Sequence, residues 1–205
     1  MFRLQPRRRP PVFYDRFTRF LHLFLALGVI AQLALSEWMH HPRPTRAGDN
    51  LYEFHEYIGL SLMVILILHW LWSFVRPGRV PLSQLFPWFS RVRMADLITD
   101  VKLYLSHLIR LKLPGTKEPS PLAGAIQGAG LVVATGMAVS GTVIYFAVPE
   151  TWVIEGWVRR VFQIHELLAN LMWAYLILHA AAAITHQLFG HEGLFPMLAF
   201  WRRMD

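Results

Sequence analysis

The sequence predicts an all-α integral membrane protein: a four-helix transmembrane bundle with a cytoplasmic amphipathic helix between spans two and three. Three observations predict it. Four segments stay apolar over the ~20 residues that a bilayer crossing requires. Only 16% of the 205 residues are charged and 55% are hydrophobic, where soluble domains carry about 25% charged residues. The mean hydropathy is +0.37. The whole chain, 1–205, reads as a single membrane domain.

The first span is expected at about 17–39 and the second at about 55–75. The third, at about 122–148, is rich in glycine and alanine and is closed by Pro149. The fourth is expected at about 164–186. Each is apolar on every side except for scattered His, Gln, Asn, Ser and Thr, which in a bundle usually face inward. From Met94, apolar residues recur at helical spacing through Leu97, Ile98, Val101, Leu105, Leu108 and Ile109. Arg93, Asp96, Asp100, Lys102 and Arg110 occupy the rest of the turn. That pattern is an amphipathic helix, either lying on the membrane surface or packed on the bundle. Residues 150–163 read as a second, short interfacial helix anchored by Trp152 and Trp157. The N-terminal Arg7-Arg8-Arg9-Pro10-Pro11 tract reads as a tail.

Lysine and arginine fix the expected orientation. Six lie at or before the start of the first span, eight between 76 and 121, and two (Arg202 and Arg203) at the C-terminus. The opposite side has only Arg43, Arg46, Arg159 and Arg160. Both termini are therefore expected in the cytoplasm. The net charge of +7 is that of a membrane protein with cationic inner loops, and no nucleic acid need be invoked. No small-residue cleavage site follows the first apolar run, so the N-terminus does not read as a cleaved signal peptide. The absence of cysteine excludes disulfides, Cys-ligated iron–sulfur clusters and covalent c-type haem.

Five of the ten histidines fall inside the spans: His22, His55, His69, His165 and His179. Ionisable groups at that depth are rare and usually functional. His165 and His179 are fourteen residues apart, roughly 21 Å along a helix and within roughly 40° of the same face. One helix thus offers a ligand near each surface. His55 is level with His165 on the outer side, and His22 is level with His179 on the inner side. Two axial imidazoles at each level would hold a haem iron, giving the outer pair His55–His165 and the inner pair His22–His179. His69 competes: it is fourteen residues from His55, sits at inner depth, and is either the partner of His22 or a hydrogen-bonding or proton-handling residue beside that site. Both His-Glu dipeptides lack the second histidine of a zinc-protease helix, with Gly59 and Ala169 in its place. His40, His41, His107 and His191 are expected to be exposed, with His107 a candidate for the quinone side. Gly28, Gly59, Gly136, Gly141 and Ala180 to Ala183 offer either room for a macrocycle or tight helix packing. Arg16, Arg19, Arg159 and Arg160 are either propionate partners or interfacial anchors.

The pattern resembles the prokaryotic di-haem cytochrome b superfamily, which includes bacterial cytochrome b561, Ni-hydrogenase b-type cytochromes and formate dehydrogenase gamma subunits. The resemblance rests on Arg16-Phe-Thr-Arg-Phe-Leu-His22, His55-Glu-Tyr-Ile-Gly59, His165-Glu-Leu-Leu-Ala169 and Leu176-Ile-Leu-His179-Ala180. The stretch from Asp96 to Leu105, with Pro121-Leu122 and Ile126-Gln127, looks like the loop before the third span in the hydrogenase and formate dehydrogenase cytochromes. It departs from their usual tyrosine-rich form. In that family the first-span histidine pairs with the second of span four, and the second-span histidine with the first. The resemblance therefore implies two haem b groups on His22–His179 and His55–His165, and favours His179 over His69. It also implies a bacterial inner membrane, a redox partner subunit (iron–sulfur or cytochrome) and a membrane quinone. Two alternatives stand beside this electron conduit. One is a self-contained cytochrome b561-type superoxide:ubiquinone oxidoreductase. Its anionic substrate fits poorly with four outward arginines set among Glu37, Asp49, Glu53, Glu150 and Glu155. The other is a haem-free membrane anchor in which the histidines serve packing.

Overall fold

A computed structural model describes residues 14–76, 82–110, 120–149, 151–190, 194–199 and 201. Four helices are long and apolar enough to cross a membrane: α1 (Arg16–Trp38), α2 (Asn50–Val75), α5 (Pro121–Ala147) and α6 (Gly156–Leu188). Between α2 and α5 lie the single-turn α3 (Leu82–Leu85), a 3-10 turn Pro87–Phe89 and α4 (Arg91–Ile109). The short α7 (Leu194–Leu198) follows α6. The N-terminal arginine tract, His191, Arg202 and Arg203 lie outside the described residues.

Local chemistry sets the helix starts. Asp15 caps α1, accepting from the Thr18 N–H at 2.9 Å and the Thr18 hydroxyl at 2.6 Å. Trp72 Nε1 donates to the same carboxylate at 3.1 Å, tying the start of α1 to the end of α2. Asp49 caps α2 through the Tyr52 N–H at 2.9 Å and accepts from His40 Nδ1 at 2.9 Å. Ser120 caps α5, with Pro121 at the first helical position. Burial opposes charge on the Asp15 carboxyl, but the bonds from Thr18 and Trp72 outweigh it and hold its pKa below the usual range. A depressed carboxylate pKa stabilises the fold above the unfolded value of about 3.9, and that contribution vanishes as pH falls through the folded value. Asp15→Ala is therefore expected to cost about 1 kcal/mol at pH 7. Thermal melts of both proteins should converge below pH 3, and a constant difference at all pH values would refute this account.

The α4 helix differs in aspect from the sequence expectation. Met94, Leu97 and Val101 turn toward the bundle, but Ile98, Leu105 and Ile109 are 48%, 55% and 84% exposed. Asp100, expected on the polar face, accepts the backbone N–H of Leu122 at 2.9 Å. That carboxylate satisfies an orphan donor in the first turn of α5 and rotates the inner face of α4 toward it. The expected interfacial helix over 150–163 is also revised. From Gly156 onward this segment is the start of α6, because nothing in Trp157–Gln163 interrupts the helix. Trp152, with φ +54°, and Gly156, with φ +58°, make the turn before it.

Close helix packing joins α1 to α2, α2 to α5, and α5 to α6, whereas α6 is not closely packed on α1 or α2. Lipid tails are as apolar as leucine, so such packing comes from shape and hydrogen bonds. Gly28 is where α1 meets Leu62 of α2, so it serves close helix approach. A buried cluster of Leu33, Leu66, Leu131, Ala134 and Met172 fills the centre. On the side of residue 14, the α3 turn wedges against α5. At Gly128 a Cβ would overlap the Leu85 backbone carbonyl. Trp70 locks the wedge, stacking on Phe86 at 5.7 Å and donating to Thr135 Oγ1 at 3.0 Å.

Candidate haem sites

The histidine pairs are built by helices that are not neighbours in packing. His22 on α1 and His179 on α6 have ring centroids 6.4 Å apart. His55 on α2 and His165 on α6 have the same separation, 6.4 Å. An imidazole nitrogen bonds a transition metal at about 2 Å and lies about 1.2 Å from its ring centre, so rings on opposite sides of one metal have centroids about 6.3 Å apart. Both pairs match that spacing. Among the described residues no three His, Asp or Glu side chains converge as a metal-ion site. Two protein ligands suffice when a macrocycle fills the other positions, as in haem.

The surroundings fit the same group. Ser140 Oγ donates to the Gly136 carbonyl at 2.7 Å and meets His165 Nδ1 at 2.8 Å. The hydroxyl proton being committed, His165 Nδ1 is the donor, which leaves Nε2 unprotonated for a metal. At Gly141 a Cβ would stand 3.1 Å from His165 Cε1, so its absence leaves room for the ring. Gln32 Nε2 donates to the His55 carbonyl at 2.7 Å, and the bare Cα of Gly59 admits the Gln32 amide. Tyr175, one turn before His179, stacks on its ring at 5.3 Å and 12°. Among the described residues the buried Nδ1 atoms of His22 and His55 have no hydrogen-bond partner. Unpaired buried polar atoms are costly, and here they belong to two rings that each face a second imidazole.

The remaining candidates stand outside the two pairs. His69 does not join either pair; its ring meets Ser73, whose hydroxyl donates to the His69 carbonyl at 2.7 Å. Arg16 and Arg19 bond the C-terminal segment, at the carbonyls of Trp201 (3.1 Å) and Ala199 (3.3 Å). Arg159 and Arg160 are exposed on the first turns of α6. His107 Nδ1 sits 2.9 Å from its own helix at the Leu103 carbonyl. His40 is exposed and paired with Asp49, and exposed His41 meets the Tyr52 ring at 5.8 Å. His186 meets Tyr104 at 6.1 Å, joining α6 to α4. Ser140, Gln32 and Tyr175 do not stand out in the sequence. The signal available was the presence of a polar group within an apolar span, which marks an inward face but not a partner.

Four membrane-spanning helices with imidazole pairs at two levels are the architecture of an integral-membrane b-type cytochrome. The chain belongs to the prokaryotic cytochrome b561 family, whose sequence model matches residues 13–199. It is accordingly a multi-pass membrane cytochrome that binds haem b and works in electron transfer. That membership speaks against the haem-free anchor. No curated protein and no solved structure matches the chain.

Proposed function

We propose that this chain is a di-haem electron conduit between a redox partner subunit on one side of a bacterial inner membrane and the quinone pool on the other. The supporting observation is the pair of equal ring separations, 6.4 Å at each of two levels. His55 and His165 would hold the haem near the outer surface, and His22 and His179 the one near the cytoplasm. Haem iron supplies one-electron chemistry, and two imidazoles keep it low-spin.

The chain's own groups do the rest. Ser140 holds the proton on His165 Nδ1, Gln32 steadies the backbone at His55, and Tyr175 fixes the plane of His179. Met172 lies seven residues from both His165 and His179 and is 4% exposed, within an apolar layer that excludes water between the levels. Quinone reduction belongs on the side of Tyr14, whose hydroxyl bonds Gln127. Both termini belong on that side too, because it carries sixteen of the twenty basic residues.

Purified protein is expected to contain two haem b per chain with reduced b-type absorbance bands; one or none would reject the reading. His69→Ala should keep both haems, and a one-haem product would transfer the inner ligand role to His69. Reduction of ubiquinone by superoxide with the isolated chain would replace the partner-fed reading by the self-contained one.

A further inference from the structure

The spanning helices present mostly large apolar residues outward. Phe24, Leu27 and Ile30 do so on α1, and Val132 and Val139 on α5. Where Ser61 of α2 is exposed, its hydroxyl is satisfied by the Tyr57 carbonyl at 2.8 Å. The α6 helix breaks this rule. Asn170 is exposed and has no hydrogen-bond partner among the described residues. It lies two residues from Met172, the midpoint between the histidine levels, and so about 3 Å from the bilayer centre. A bare carboxamide there faces hydrocarbon with two donors and an acceptor unpaired.

The surroundings of Asn170 are patterned. Leu167, Asn170, Ala174, Ile177, Ala181 and Ile184 follow one another at alternating intervals of three and four, and all six are exposed. That is the seam of a left-handed helix pair. Ala174 and Ala181 let two backbones approach. Asn170 is about 140–180° around the helix from His165 and His179, so the seam points away from the haem sites.

We propose that two copies of this chain dimerise along the outer face of α6, with the Asn170 carboxamides hydrogen-bonded to each other. The occupant follows from the chemistry. A carboxamide is both donor and acceptor, so it complements itself. Two copies inserted in the same sense bring their Asn170 residues to the same depth without adjustment. The seam needs no other sequence than its own.

The chain has no cysteine, so single cysteines report the contact in the haem-loaded protein. In native membranes, Ala174→Cys should give, on copper–phenanthroline oxidation, a product of twice the 23.8 kDa chain mass. Val132→Cys on the outward face of α5 should not. Asn170→Leu should weaken dimerisation about three- to tenfold, measured by fluorescence energy transfer over a lipid dilution series, with the haem spectrum unchanged. Equal cross-linking at both cysteines, none at Ala174→Cys, or no effect of Asn170→Leu would overturn the proposal. So would capture of another protein's single spanning helix at Ala174→Cys in place of a second copy.

Discussion

His165→Ala should purify with one haem b per chain instead of two, with the reduced α-band amplitude falling by about half. The haem that stays should be the one on His22 and His179, because the only element the two sites share is α6 and the substitution sits fourteen residues from His179. Removing the imidazole would take away one of the two side chains that would hold the outer haem, and leaves the Ser140 hydroxyl without its 2.8 Å partner. Topology makes the outcome specific. Redox titration of the variant should show a single component, and its midpoint should match one of the two wild-type components. Loss of the inner haem alone would reverse the assignment of levels, and loss of both would mean the sites are not separable. His179→Ala is the reciprocal experiment and should leave the other component.

Gly128→Ala should produce the largest stability loss among single methyl additions in the bundle. The new Cβ would overlap a backbone carbonyl, that of Leu85, which cannot swing aside as a side-chain tip would. Relief requires moving the whole α3 turn, and with it the Trp70–Phe86 stack. Overpacking of this kind costs about 1–3 kcal/mol, or a fall in Tm of roughly 2–12 °C in a chain of this size. Gly136→Ala provides the contrast. There the nearest atom is the flexible Leu168 Cδ1, at 3.1 Å, and a loss well under 1 kcal/mol is expected. Equal losses at the two positions would show that the α3 wedge does not bear on α5 as described.

The spans and the histidine pairing were legible because each follows from one-dimensional spacing. Twenty apolar residues must cross, and fourteen residues on a helix must return to the same face. That is why His22 met His179 and His55 met His165 as expected from depth. Features that depend on the shape of a neighbour were not legible. Gly124 and Gly128 look like any glycine in an apolar helix, and only the fold brings Gln84 and Leu85 against them. Asp100 reads as a solvent-facing charge in α4 until α5 presents an unpaired N–H beside it. The start of α6 at Gly156 is not marked in the sequence, because hydropathy shows where a helix enters lipid, not where it begins. Arg159 and Arg160 are helical but too polar to be counted as span. In the sequence Arg16 and Arg19 show only their charge and depth, which cannot reveal that the C-terminal carbonyls come within their reach.

The separation of α6 from α1 and α2 bears on biogenesis. In the protein alone this helix leans on α5 and reaches α1 and α2 through Met172 in the central cluster and through the two facing pairs of imidazole rings. The cofactors would therefore act as the mortar of that wall, closing the bundle last. A group that binds only the folded state stabilises it in proportion to its occupancy. Cells starved of haem should accordingly accumulate little of this protein: a chain inserted but not yet filled would lack that contribution and be an early target for membrane proteases.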